Sequence, residues 1–323
     1  MVAPLGSELV KTLVIGAAGM IGRKLTAQLP DEDLILHDVV PFDGASVVSD
    51  LSSPGEAEKL VASRPELIFH LAAIVSGEAE ADFEKGYRIN LDGTRCLFEA
   101  IRKMPHYRPR VVFTSSIAVF GAPFPQAIGD EFLNAPLTSY GAQKAIGELL
   151  LSDYSRRGFF DGIGLRLPTI CVRPGKPNKA ASGFFSGIIR EPLAGQEAVL
   201  PVPETVRHWF ASPRAAVGFL LHAARMDTKA LGNRRNLSMP GISATVGEQI
   251  AALRKVAGDK AARLIRREPD PTIMRIVEGW PQNFDTRRAL ELGFRADRSF
   301  EEIIRIHVED ELQKSPQPQP GRG

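Results

Sequence analysis

Two cysteines among 323 residues, Cys96 and Cys171, are too few and too far apart for a disulfide framework or a zinc pattern. Such sparing use suits a reducing compartment, and a cytoplasmic location is the expectation. No apolar run reaches the ~20 residues that a membrane-spanning helix needs. The first ten residues lack the basic start and apolar run of a secretory leader. Neither sign of charge dominates: 40 Lys and Arg stand against 38 Asp and Glu, a net charge of +2. Without a basic stripe or an acidic tail, there is no footprint for nucleic acid or for a membrane surface. The six histidines (His37, His70, His106, His208, His222 and His307) show no HExxH or paired spacing, so no metal site is expected.

What is present describes a folded enzyme-sized chain. Hydrophobic residues make up 44% and charged residues 24%, which excludes a mainly disordered protein. Short apolar runs alternate with helical patterns. The spacing predicts strands at Thr12–Ile15, Leu34–Leu36, Leu67–His70, Val111–Thr114 and Ile163–Leu167. Helices are predicted at 20–28, 56–63, 82–103 and 140–156. This βα alternation reads as an α/β fold, a doubly wound parallel sheet covered on both faces, with ligands at the carboxyl ends of its strands. Residues 1–172 are expected to form this part.

Residues 173–312 then make a smaller cap, with a segment near 205–238 returning to the core. Within this part Arg173–Gly183 is a polar loop. Helices are predicted at 212–225, opening on a Ser-Pro cap, and at 246–256, 286–292 and 299–312, with a short strand at 236–238. Residues 313–323, with three prolines, read as a flexible tail.

Gly16, Gly19 and Gly22 follow the first strand and open the first helix. The first permits a tight turn, the second lets a pyrophosphate approach the backbone, and the third lets helix and strand pack closely. Free N–H groups at the helix start, around Met20 and Ile21, favour an anion. Asp38 ends the second strand, where a carboxylate accepts hydrogen bonds from a ribose diol and repels a 2′-phosphate. With Val39, Val40 and Pro41 behind it, NAD is expected rather than NADP. Asp50 and Leu51 are further candidates for the adenine end.

Tyr140 and Lys144 stand at i and i+4, on one helix face. A free phenol has a pKa near 10, and lowering it by about 3 units takes roughly 4 kcal/mol of electrostatic preference. A lysine charge and an oxidised nicotinamide both act in that direction. Tyr140 could then take a hydroxyl proton while hydride leaves the same carbon. Ser115 and Ser116 end the fourth strand, where a hydroxyl can hold the reacting oxygen.

GAAGMIG (16–22), HLAA (70–73), INLDGT (89–94), FTSSIAVFG (113–121) and YGAQK (140–144) together resemble the extended short-chain dehydrogenase/reductases. The resemblance implies a Rossmann domain, a nicotinamide cofactor and a catalytic trio at Ser116, Tyr140 and Lys144, with Lys144 also on the nicotinamide ribose. It places a helix-bending asparagine at Asn90, backbone passing the cofactor at Ala72, and the boundary of the nicotinamide end at Pro168. It also implies dimer contacts through helices 82–103 and 140–156. Many members act on nucleotide-linked sugars, but this chain has Thr169 near the usual diphosphate-binding asparagine and Phe120 where tyrosine is usual.

The stretches 165–202 and 279–297 are similar to a narrower group, the D-erythronate dehydrogenases. That similarity implies NAD-dependent oxidation of a four-carbon sugar acid at C2. Such a substrate needs a cation for its carboxylate and partners for its hydroxyls. Ser76, Arg173, Lys176, Asn178 and Arg207 are the candidates, with Lys179 and His208 beside them. Alternatives are a nucleotide-sugar epimerase or dehydratase, which makes no net NADH, and a non-catalytic NAD-binding sensor.

Overall fold

The computed structural model describes residues 10–31, 33–175 and 181–313. Lys176, Asn178 and Lys179, the first nine residues and all but the first residue of the expected tail lie outside them. The first half runs β1 (Thr12–Ile15), α1 (Met20–Thr26), β2 (Leu34–Asp38), β3 (Val47–Val48), α2 (Glu56–Val61) and β4 (Leu67–His70). It continues with α3 (Ser76–Ala81), α4 (Phe83–Gly86), a wide π turn (Tyr87–Asp92), α5 (Gly93–Lys103), β5 (Arg110–Ser116), α6 (Ser139–Arg156) and β6 (Asp161–Leu167).

The second half contains β7 (Thr169–Ile170), α7 (Gly183–Leu193), β8 (Ala198–Leu200), β9 (Arg207–Ala211), α8 (Pro213–Arg225), β10 (Asn236–Ser238) and β11 (Ile242–Thr245). It ends with α9 (Val246–Ala262), β12 (Ile265–Arg267), α10 (Pro271–Glu278), α11 (Arg287–Glu291) and α12 (Phe300–His307).

Seven parallel strands make the main sheet in the order β10-β6-β5-β4-β1-β2-β3. The strand order reverses between β1 and β4, which opens a crevice at their carboxyl ends. Alternation within each strand sends Val14, Phe69 and Val112 to one face, against α8 side chains such as Val217 and Leu220. Leu13, Ile15, Ile68 and Val111 go to the other, against Leu97, Phe98 and Ile101 of α5. A strand buried on both faces reads as an unbroken apolar run, which is why TLVI and LIFH were legible.

The predicted helix at 82–103 runs through from Phe83 to Lys103, widened to a π turn at Tyr87–Asp92. Asn90, 1% exposed, accepts a hydrogen bond from Ile74 N (2.9 Å) and donates to Gln143 Oε1 (2.8 Å). It lies in the π turn, so the asparagine's bonds and the widened backbone coincide. The polar stretch predicted to run to Gly183 gives way to α7 there, and β7, β8, β9, β11 and β12 carry no alternation long enough to read. They form two small sheets, β11-β9-β7 and β12-β8, around a separate core of Phe185, Ile188, Phe210, Leu253 and Ile303. Ser212 caps α8 as expected, accepting from Ala215 N at 3.0 Å. No helix among the described residues is long and apolar enough to cross a membrane.

Candidate active site

The glycine turn sits at the strand-order reversal, and steric contact dictates two of its three glycines. A Cβ on Gly16, where φ is +90°, would lie 2.6 Å from Ala72 N. One on Gly22 would lie 2.3 Å from the Gly16 carbonyl oxygen and 2.8 Å from Ala17 Cα. The third glycine therefore packs α1 onto the turn itself rather than onto the strand. A Cβ on Gly19 would meet only the Gly16 carbonyl oxygen, at 3.3 Å. Its other side is open, as a group approaching the backbone of Met20 and Ile21 requires. Ala72 N donates to Ile15 O (3.0 Å), so the β4 loop passes directly beside the turn.

The Asp38 carboxylate accepts from Ala18 N (2.9 Å) and from Val39 N (2.7 Å), which locks it between turn and strand. Val39 and Val40 beyond it are 58% and 51% exposed and offer no cation to a 2′-phosphate. A cradle that extra carbon would fill, next to a carboxylate placed for a diol, fits NAD. Asp50 is differently engaged. Burial tends to raise its pKa, but hydrogen bonds from Ser52 and Arg88 hold it below the usual carboxylate range. Leu51 is buried beside it, and Pro168 is buried between β6 and β7.

Ser116 and Tyr140 meet at the carboxyl end of β5. The Ser116 Oγ accepts from Ala118 N (3.1 Å) and acts on the Tyr140 phenol. Ser115 points elsewhere and donates to Glu148 (2.6 Å), which separates the two neighbouring serines. Thr138 caps α6 by accepting from Gly141 N (3.1 Å), fixing the helix start at Ser139, one residue before the tyrosine. The Lys144 Nζ donates to the Thr114 carbonyl (2.8 Å) and lies 4.9 Å from the Phe113 ring centroid and 5.9 Å from that of Tyr140.

Without the charge of a bound nicotinamide, burial dominates at the tyrosine. Burial pushes the Tyr140 phenol above its ordinary value, and the Ser116 hydroxyl and the Arg173 charge pull it only part of the way back. Burial also pulls Lys144 down to about 8, against the attraction of Glu148. Desolvation outweighs the expected lysine effect in this arrangement.

Arg173 stands close enough for its charge to act on Tyr140. Its backbone N–H donates to Ser186 Oγ (3.0 Å) and its carbonyl accepts from Arg190 (2.8 Å), so the main chain is pinned. Among the described residues no carboxylate pairs with its guanidinium. Arg207 differs: it donates to the Ser243 carbonyl (3.2 Å) and pairs with Glu248 (3.3 Å). Ser76 opens α3, whose Glu80 accepts from Ser139 N (2.9 Å), beside the tyrosine. A cavity of about 760 Å³ lies along that helix, between Glu80, Phe184, Arg190 and Ile273.

His208 cannot serve as a free ligand. Its Nδ1 lies 2.8 Å from the Pro281 carbonyl and must donate to it, so Nε2 accepts from the Thr169 hydroxyl at 2.7 Å. Burial pushes the ring down to about 4 and keeps it neutral. The feature that sequence reading missed is the polar set behind the trio: buried Glu148 and Arg166 with half-buried Asn134 and Asp130. The i+4 spacing from Lys144 to Glu148 was its only trace.

Residues 12–234 match the NAD dependent epimerase/dehydratase family. The chain belongs to it. The matched region contains the glycine turn and the Tyr140–Lys144 pair. Two curated family relatives are similar over nearly their whole length. D-erythronate dehydrogenase of Cupriavidus necator is 47% identical, covering 93% of this chain and 98% of that one. The Haemophilus influenzae protein of the same name is 41% identical, covering 94% and 100%. A crystal structure described as a nucleoside-diphosphate-sugar epimerase from Agrobacterium tumefaciens is 66% identical, with a TM-score of 0.89 over 96% of this chain and 98% of that one.

Proposed function

We propose that the protein oxidises D-erythronate at C2 to 2-dehydro-D-erythronate, with NAD as the oxidant. The observation that carries this reading is the Arg173 guanidinium beside Tyr140, without a carboxylate partner among the described residues. In a 2-hydroxy acid the reacting carbon is bonded to the carboxylate. A cation adjacent to the base therefore selects that carbon, and an arginine can grip the carboxylate through two parallel bonds. The names of the two full-length relatives support the same substrate.

In this reading Ser116 donates to the C2 oxygen and orients it. Tyr140 takes the proton of the C2 hydroxyl. Lys144 and Arg173 stabilise the resulting phenolate by charge, and Lys144 also holds the cofactor ribose. Oxidised nicotinamide, when bound, accepts the hydride and adds a positive charge next to the phenol. The turn shaped by Gly16, Gly19 and Gly22 presents the backbone of Met20 and Ile21 to the pyrophosphate, Asp38 holds the adenosine ribose, and Ala72 and Pro168 bound the cleft. The test is NADH formation by purified protein given NAD and D-erythronate, lost in Tyr140→Phe.

The description of the Agrobacterium protein favours a second reading, a nucleotide-sugar epimerase. Conversion of a UDP-sugar without net NADH, and no NADH from any aldonate, would establish it instead. We further propose a homodimer through α5 and α6, where Leu149 is 69% exposed, checked by light scattering. The free thiols of Cys96 and Cys171 suit a cytoplasmic protein.

A further inference from the structure

Three successive residues of β5 are fastened to three successive turns of α6. Ser116 acts on Tyr140, the Thr114 carbonyl accepts from Lys144, and Ser115 donates to Glu148. The last of these attachments ends on a buried ion pair. Glu148 is 1% exposed and Arg166, on β6, is 5% exposed. Glu148 Oε1 accepts from Ser115 Oγ (2.6 Å) and Arg166 Nε (2.9 Å). Its Oε2 accepts from Arg166 Nη2 (2.8 Å) and Asn134 Nδ2 (3.0 Å). The guanidinium also lies 4.8 Å from the Phe120 ring centroid and 3.9 Å from Asp130.

A buried ion pair gives little stability over well-packed apolar side chains of the same volume. Stability alone therefore does not account for this one. We propose that the Glu148–Arg166 pair is a positioning device for the reacting residues: it registers α6 on β5 and holds the Lys144 side chain as an ammonium. The proposal rests on Tyr140 and Lys144 being the reacting pair.

The groups facing Lys144 leave this task to Glu148. Its own helix presents Tyr140 and Glu148. From β5 come the Phe113 ring and the Thr114 carbonyl, neither of them ionisable. From β4 comes His70, which burial first and the Lys144 charge second push down to about 3, so it is neutral. The carboxylate acting on Lys144 is Glu148, and it opposes the burial that favours a neutral amine.

The test needs no substrate. The full-length protein is labelled with trace acetic anhydride across a pH series, and the reactivity of Lys144 is read by mass spectrometry. In Glu148→Gln its titration midpoint falls by ~1 pH unit relative to the unaltered chain, a tenfold change in the protonation equilibrium. Glu148→Asp keeps the charge and the midpoint but shifts the carboxylate. If Glu148→Gln does not fold, Glu148→Gln/Arg166→Gln replaces the pair with neutral amides, and its midpoint also falls. An unchanged midpoint in a folded Gln variant overturns the proposal, as does an equal fall in Glu148→Asp. In NADH assays the alkaline limb of the kcat profile moves down with the midpoint, whereas a purely structural defect lowers kcat evenly at every pH. Failure of the unaltered protein to oxidise D-erythronate counts against the function alone, because the labelling result stands without it.

Discussion

The two sides of the cleft are built by different means. On the dinucleotide side, backbone meets backbone: Gly16 against Ala72, and Gly22 against Gly16 and Ala17. Around the small sheets, contacts between distant segments run through side chains: Thr169 with His208, His208 with the Pro281 carbonyl, Arg207 with Glu248. Backbone contact tolerates only one residue type, so it leaves glycines at fixed spacing. Side-chain contact can be made by many pairs, so it leaves little pattern.

Substitutions can break this contrast where it is sharpest. The largest effect is expected where the two sides meet. Tyr140→Phe should lower kcat by ~10³-fold with little change in NAD affinity, since a positioned base contributes roughly 10²–10⁴-fold. NADH formation and isothermal titration with NAD separate the two quantities. On the backbone side, Gly22→Ala places a carbon where 2.3 Å is available, so NAD binding should weaken by roughly a hundredfold or more and the melting temperature should fall. Retained affinity would mean that the turn relaxes and that backbone contact is not the rule there.

On the cap side, Arg173→Met should raise KM for D-erythronate by roughly 10- to 100-fold, with a smaller change in kcat, as expected for a charged pair made in ground and transition states alike. Steady-state kinetics decide it. Arg207→Gln is the matched control: its guanidinium is already paired, and KM should change by less than about threefold.

A pH titration compares both sides at once. His70 belongs to β4 and His208 to β9, and burial lowers them to about 3 and about 4. Between their unfolded value of about 6.5 and these folded values, the unfolded chain binds protons that the folded chain does not. Stability is therefore full above about pH 6.5 and falls as the pH drops, by about 1.4 kcal/mol per pH unit for each histidine. Chemical denaturation from pH 7 to pH 4 should show stability falling, more steeply because burial also lowers His37 and His307, and His208→Asn should remove about 1.4 kcal/mol per pH unit of the slope.

The same contrast explains what the sequence disclosed. β1 and β4 are found at their predicted limits, because two-sided burial makes short apolar runs, and the edge strand β10 is found at its predicted limits although it holds a single apolar residue. The glycine turn and the Tyr140–Lys144 face were readable for similar reasons, since each depends on fixed local spacing. The helix from 82 to 103 was legible in its periodicity, but the π turn at Asn90 was not, and only the resemblance marked that residue, because its partners lie 16 and 53 residues away. β9 and β11 were invisible because their pairing joins segments that are ordinary in isolation. Tyr140 was legible from its spacing, but the burial that raises its phenol in the unliganded chain was not. Glu148 carried only the i+4 step, and its importance depends on Arg166, Ser115 and Asn134 arriving from three other segments.

The outer strand of the main sheet has a consequence for how the chain is made. β10 pairs with β6, yet it leaves the ribosome only after the whole of 168–235. The closing segment goes further back: Glu311 pairs with Lys24 on α1, and Asp310 with Arg214 on α8. A nascent chain halted before residue 236 therefore exposes the β6 edge, with its N–H and C=O groups open to another strand. Synthesis runs from one end to the other, but the folded surface joins the last described turn to the first described helix.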